Sequence, residues 1–388
     1  MKTTSPMMFM AACLLFVLPS AAFGAIHGQK FWSLLVNSAS FSIFVIATTS
    51  TIAVLNRVDD LNLFLKRLKY VCLAFMIIHF LEVVILRHGI DISTSRFEIL
   101  SATTIPASAI MAIGIVIRPN LLELGISVSN LILMLLSVTR TLLAAFVGQL
   151  FCLFLAVPTM ILNSRVIKKG IMTLLLIAGV ISVDLLMNTG ISERWITRLS
   201  AKERVGADPT LLTRLAEVHF MMDSFVSSPQ TLLFGNGLAA GTKLTGPAAD
   251  LAGSLVGFGS VLSVHGEGYG HNNHASMLFI GGLFFGAPLL FLLFLNGLQG
   301  ILLIRKALLV KKDLHPAIIY ISLWGSLIVL GELICSFFSG TFADRPSCLW
   351  YGIGTGMLYW GRVALSAEKK NKKTFSILSF PPKEKGIP

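Results

Sequence analysis

Ten apolar stretches, most of them about twenty residues long, constrain this chain more than anything else in it; they lie near 7–26, 33–55, 69–87, 98–117, 121–138, 141–161, 170–187, 275–304, 317–337 and 347–364. A bilayer core of about 30 Å is crossed by roughly 20 apolar residues in a helix, so each stretch is a candidate span. A soluble fold would have to bury all of them at once and lacks the polar surface to do so. Hydrophobic residues make up 55% of the chain and charged residues 13%, against a usual charged share of roughly 25%. Disorder and a coiled coil are excluded on the same grounds. The expected fold is all-α, a polytopic integral membrane protein with about ten transmembrane helices and one large loop outside the membrane.

Two boundaries follow from charge and length. Between Glu123 and 161 Arg140 is the one charged residue, and a charge is cheaper at a helix end than in mid-bilayer, so two spans are expected to meet there. The stretch 275–304 is long enough that it should tilt, or carry its first turn outside the core. The first stretch ends in Ala21-Ala22-Phe23-Gly24-Ala25. It is read as an uncleaved anchor, with a cleaved signal peptide as the alternative. The organisation expected is a seven-span bundle over 1–187, a large loop over 188–274, a three-span bundle over 275–364 and a basic tail over 365–388.

Lys and Arg then orient the chain. With the N-terminus inside, 20 of the 31 basic residues fall in inner loops or the tail, five in short outer loops and six in the long outer loop. The net charge of +12 is therefore a topology signal. It implies contact with anionic inner-leaflet lipid and no nucleic acid. The five cysteines, Cys13, Cys72, Cys152, Cys335 and Cys348, show no CxxC spacing and read as small apolar packing residues.

The long outer loop carries the polar chemistry. Asp208 can cap a helix that Pro209 begins and Pro229 ends. Leu211, Leu215, Val218, Met222 and Phe225 form one apolar stripe along it, so it should lie on the bilayer or on the tops of the spans. Arg214 sits beside that stripe, either as a ligand-binding cation or as a surface partner of Glu217. Ten glycines follow between Gly235 and Gly270, with no phosphate-binding P-loop pattern among them. The run closes on HGEGYGHNNH, which gathers His265, Glu267, His271 and His274. A metal site, a general base and plain polar loop are all compatible with that cluster. Glu82, Asp184, Glu332, Arg140 and Arg345 all fall toward the same, outer, side of the spans. They either wall a polar cavity below the loop or pair with one another to hold helices together.

Three of these segments together resemble the O-antigen ligase and O-antigen polymerase superfamily of bacterial envelope glycosyltransferases. They are SVTRTLLAAF around Arg140, RLAEVHFMMDSFVSSPQTLLFGNGL from Arg214, and GHNNHASMLFIGGLFFG around His271. They stand in the family's order. Arg345, just before the last span, also falls where ligases tend to carry an arginine. The resemblance implies a GT-C-like, metal-independent, inverting transferase without a cofactor. Such an enzyme moves a glycan from an undecaprenyl diphosphate carrier to an acceptor hydroxyl, at the periplasmic face of the bacterial inner membrane. His271 would be the base, with Arg214 and Arg140 on the diphosphate. Arg345, Glu267 and His274 would complete substrate binding. The chain departs from the family in its low span count and in carrying His274 where a plain residue is usual. A polymerase, whose acceptor is another carrier-linked glycan, is the first expectation; a ligase acting on lipid A-core is the second. A transporter of lipid-linked sugar and a metal-dependent hydrolase using His265, His271 and His274 are the readings from other classes.

Overall fold

A computed structural model of the chain describes residues 6–87, 99–158, 168, 182, 191–200, 208–256, 270–309, 315–340, 342 and 344–378. All regular structure among the described residues is helical. In chain order the helices are α1 (Pro6–Ile26), α2 (Phe31–Leu55), α3 (Leu61–Leu81, running on as a π turn Glu82–Arg87), α4 (Thr104–Val116), α5 (Leu121–Ser137) and α6 (Arg140–Ala156). Next come α7 (Ile191–Leu199), α8 (Pro209–Val226), α9 (Pro229–Phe234) and α10 (Pro247–Val256). The last group is α11 (Asn273–Gly281, followed by a π segment Gly282–Gly286), α12 (Ala287–Leu309), α13 (Pro316–Cys335) and α14 (Arg345–Leu378).

Five of these helical stretches are long and apolar enough to cross a membrane: Pro6–Ile26, Phe31–Leu55, Leu61–Ile85, Asn273–Leu309 and Pro316–Cys335. Three shorter apolar helices, α4, α5 and α6, stand beside them. Large apolar side chains such as Trp32, Leu18, Ile78, Phe151 and Phe291 lie exposed on the outside of the bundle. Water would penalise that surface, whereas lipid does not distinguish it from the core. The expected span at 170–187, with Asp184, falls outside the described residues except for Ser182, and so do Arg96 and the stretch 257–269 with His265 and Glu267.

The centre of the bundle is α13, almost wholly buried along its length. Its Trp324 indole donates to the Pro106 carbonyl at 2.9 Å, and Gln149 of α6 donates to the Leu327 carbonyl at 2.9 Å. Small residues let the helices approach. At Gly325 a Cβ would lie 2.8 Å from the Gly354 carbonyl oxygen, and at Gly356 one would lie 2.6 Å from Thr51 Cβ. Close glycine contacts of this kind let dispersion replace the missing hydrophobic drive between helices in lipid. Phe41 stacks on Phe342 at 4.6 Å and Phe44 meets Tyr351 edge-on at 5.2 Å, which ties α2 to α14. All five cysteines are buried and none is in a disulfide.

Three sequence expectations shift. The stretch 98–117 yields only thirteen helical residues, Thr104–Val116, about 20 Å of rise. The Thr104 amide and hydroxyl both bond the Ser101 carbonyl, and Ser101 and Thr103 hydroxyls bond each other at 2.5 Å. This local network holds the preceding backbone out of the helix. The last helix does not end at 364 but continues into the basic tail as far as Leu378. The third helix begins at Leu61 rather than near 69, because Asp60 caps it by accepting from Asn62 and Leu63 amides. By contrast, the break expected at Arg140 is present. Val138 takes the left-handed conformation at φ 52 and Thr139 is extended, so Arg140 opens α6. A left-handed valine costs about 1–2 kcal/mol, and that strain sits beside the one arginine of the stretch.

Candidate functional site

The helix foreseen in the outer loop is α8. Pro209 opens it, and the Asp208 side chain accepts the Leu211 amide at 3.4 Å. Its buried face, however, is turned from the expected stripe. Leu211 and Leu215 are each 51% exposed, while Ala216, Glu217, Met221 and Phe225 are buried. Arg214, Glu217, Met221 and Phe225 recur at three- and four-residue spacing, so the face aimed at the bundle carries two charges.

Glu217 is the best-held charge in this region. Its side chain is 1% exposed. The carboxylate accepts the His271 backbone amide at 3.0 Å, His271 Nδ1 at 3.1 Å and the Thr242 hydroxyl at 3.4 Å. The backbone amide and the Thr242 hydroxyl make Glu217 an acceptor, and the tautomer that donates to it from Nδ1 leaves the lone pair of a neutral imidazole on Nε2. The His271 ring remains 37% exposed. Gly270 is needed for this fit, since a Cβ there would lie 2.8 Å from the Glu217 carboxyl carbon.

The rest of the HNNH motif faces elsewhere. Asn272 caps α11 by accepting the Ala275 amide at 2.9 Å and donates to the Phe337 carbonyl at 3.2 Å. The Asn273 amide donates to the Ser336 carbonyl at 3.0 Å. His274 Nε2 meets the Leu333 carbonyl at 3.2 Å, and its ring lies against Phe294 and Phe337 at 5.0 and 4.3 Å. Arg214 reaches the same place and donates to the Phe338 carbonyl. Carbonyls in the last turn of α13 and just beyond it, at the negative end of the helix, are thus held by the three consecutive residues Asn272, Asn273 and His274 and by Arg214 of α8. Desolvation by burial pushes Arg214 below the ordinary arginine value, while the neighbouring Glu217 charge opposes that shift.

Arg140 joins this group through α8. Its guanidinium lies 2.5 Å from the Asp208 carboxylate, and its charge bears on Arg214. The other two glycines that matter lock the loop to α11. Gly235 and Gly282 adopt φ of 77 and 62, and a Cβ on Gly282 would lie 2.6 Å from the Gly235 nitrogen. Asn236 and Gly237 amides then cap the Phe279 and Ile280 carbonyls at 2.8 and 3.0 Å, which the π segment leaves free. The FGNG and IGG segments are therefore two halves of one joint.

Of the site residues foreseen, His271, Arg214 and Arg140 come together. His274 lies beside them but is buried in the helix packing. Arg345 is exposed at the start of α14, and among the described residues no hydrogen bond or ion pair ties it to the group. Glu267 lies outside the described residues, as do other parts of the wall expected for an outward polar cavity. Glu217 is the residue that sequence reasoning missed as a site component, having been paired only with Arg214. Its signal was an acidic residue on the inward face of an amphipathic helix, where isolated charge is rare. No protein-family profile and no curated protein sequence matches this chain.

Proposed function

We propose that this protein is a membrane-embedded glycosyltransferase that elongates a carrier-linked surface polysaccharide. The observation that carries the reading is the Glu217–His271 pair, with an exposed imidazole and two arginines alongside. A carboxylate on Nδ1 orients the ring and supports the positive charge that forms when Nε2 takes a proton. In the proposed reaction the acceptor hydroxyl loses its proton to His271 Nε2 as its oxygen bonds the anomeric carbon. The bond from that carbon to the diphosphate oxygen breaks with inversion, and undecaprenyl diphosphate departs. Arg214 and Arg140 stabilise the charge on the leaving diphosphate, a role suited to a fixed planar cation. His274 acts as a packing residue in this scheme, and His271 is the base.

The topology proposed with it is ten spans, N-in and C-in, in the bacterial inner membrane, with the site facing the periplasm. Supporting this, helix ends that the charge distribution puts outside meet one another. Leu238 of the outer loop donates to the Ser20 carbonyl near the end of α1 at 2.6 Å, and Asn273 meets Ser336 at the end of α13. The partners are the lipid-linked oligosaccharide and an acceptor glycan, with lipid A-core as the acceptor if the enzyme is a ligase.

Glycan profiling of a deletion strain complemented with His271→Ala or Arg214→Ala tests the reading. Loss of polymer with normal membrane insertion is expected, and normal ladders from both variants would end it. A single-repeat cap on lipid A-core in the deletion strain marks a polymerase. Long polymer stranded on undecaprenyl marks a ligase, and substrate trapped on the inner leaflet marks a transporter.

A further inference from the structure

A cleft of about 580 Å³ opens at the end of the bundle opposite His271. It lies among the first turns of α3, α5 and α13, and α13, with 20 residues, separates it from the His271 group by about 30 Å. Asn62, Lys66, Lys69 and Tyr70 line it, and their spacing puts them on one face of α3.

The charges in the cleft do not balance. Buried Lys69 is neutralised by Glu123, with Nζ 2.5 Å from Oε1 and 3.6 Å from the Tyr320 ring centroid. Glu123 is already committed, since its other oxygen accepts the Asn120 amide at 3.0 Å. Lys66, one turn before Lys69, is exposed and has no carboxylate partner among the described residues. The cleft therefore presents a spare cation above a neutral ion pair. Its floor is apolar and continues outward, where Leu121 is 89% exposed and Leu124 beside it 49%. Tyr70, which lines the cleft and is exposed, stands at its opening, and tyrosine favours the headgroup level of a bilayer.

We infer that this cleft binds one anionic phospholipid. Its phosphate faces Lys66 and Asn62, and its acyl chains run along Leu121 and Leu124. A basic pocket between helices at the membrane edge suits such a headgroup. A soluble phosphate would use the cation but would leave the adjoining apolar surface without a function. The inference is independent of the transferase reading.

Native mass spectrometry of the full chain in detergent, supplied with phosphatidylglycerol and phosphatidylcholine in equal amounts, tests it. The wild-type chain is expected to retain about one phosphatidylglycerol several-fold more than phosphatidylcholine. Lys66→Glu should bring the two lipids to parity. Arg57→Glu makes the same charge change at an exposed position outside the cleft and should leave the preference intact. Equal retention by the wild type, a preference that survives Lys66→Glu, or an equal loss in Arg57→Glu would overturn the inference. It also fails if inorganic phosphate alone, at millimolar concentration, displaces the retained lipid from the wild type.

Discussion

Glu217 holds His271 at two points, the backbone amide at 3.0 Å and the ring Nδ1 at 3.1 Å, across 54 residues of sequence. The double grip fixes both the position of the residue and the direction in which its ring points. A general base has to be within hydrogen-bond reach of the proton it takes and in the right tautomer. The carboxylate supplies both conditions from within the fold.

Replacing Glu217 with Gln separates the charge from the shape. The amide keeps the volume, so the protein should insert and purify normally. The charge that supports a protonated imidazole is lost, and transfer should fall by about 10²-fold, within the range for a positioned acid or base. The loss is expected in kcat with KM for the lipid-linked donor nearly unchanged, because Glu217 acts through His271. Steady-state kinetics on purified protein with a lipid-linked oligosaccharide would check this. A rise in KM at constant kcat would place Glu217 in binding instead.

The two histidines of HNNH should give opposite results. His271→Ala removes the exposed ring and should lower transfer by about 10²- to 10⁴-fold with little change in stability. His274→Ala leaves the Leu333 carbonyl without its donor and opens a gap beside Phe294 and Phe337. That should cost about 1–3 kcal/mol of stability, visible as a lower melting temperature in detergent, while the folded fraction still turns over substrate. Activity per folded molecule, measured beside the melting curve, distinguishes the two. A catalytic collapse in His274→Ala at unchanged stability would reverse their roles.

The sequence made the helical, membrane-embedded character legible because hydrophobicity along a helix needs no tertiary information. The break at Arg140 was legible for the same reason, since a lone charge in the middle of a long apolar stretch is cheapest at a helix end. The stripe of α8 was turned because Arg214 and Glu217 look like solvent-facing residues until their partners are known. Those partners are the Phe338 carbonyl and His271, both remote in sequence. His271 and His274 could not be told apart by spacing alone. What separates them is burial against Phe294 and Phe337, and that depends on where α12 and α13 end up. The short α4 was missed because composition over 98–117 is apolar throughout its helical part, while the hydroxyl network at Ser101–Thr104 that stops the helix depends on local geometry.

The Arg140–Asp208 pair should matter for the substrate far more than for the fold. Its side chains are 33% and 17% exposed, and pairs of that kind contribute about 0.2–1 kcal/mol. A double-mutant cycle on Arg140→Gln and Asp208→Asn should therefore return a coupling in that range from thermal or chemical unfolding. Arg140→Lys keeps the charge but loses the planar fork that matches a diphosphate. Its KM for the lipid-linked donor should rise roughly tenfold, the equivalent of about 1.4 kcal/mol. Unchanged donor kinetics in Arg140→Lys would confine Arg140 to holding the start of α8.

The opposite balance holds at Lys69 and Glu123, whose side chains are 7% and 8% exposed. Removing one partner of a buried pair leaves an uncompensated charge and costs about 3–5 kcal/mol. Lys69→Met should thus lower the melting temperature more than any single change at the His271 group, because Glu123 would remain buried without its cation. Replacing both residues with apolar side chains of similar volume removes the stranded charge, and such replacements of whole buried pairs are often neutral or stabilising. Lys69→Met combined with Glu123→Leu should therefore recover most of the loss. It falls short only by the capping bond between Glu123 and Asn120, about 1 kcal/mol. The four-corner cycle, measured by thermal unfolding in one detergent, isolates the pair from the cap. If the double variant is as unstable as Lys69→Met alone, the ion pair is not the source of the cost, and the cap or the packing of Lys69 on Tyr320 must supply it.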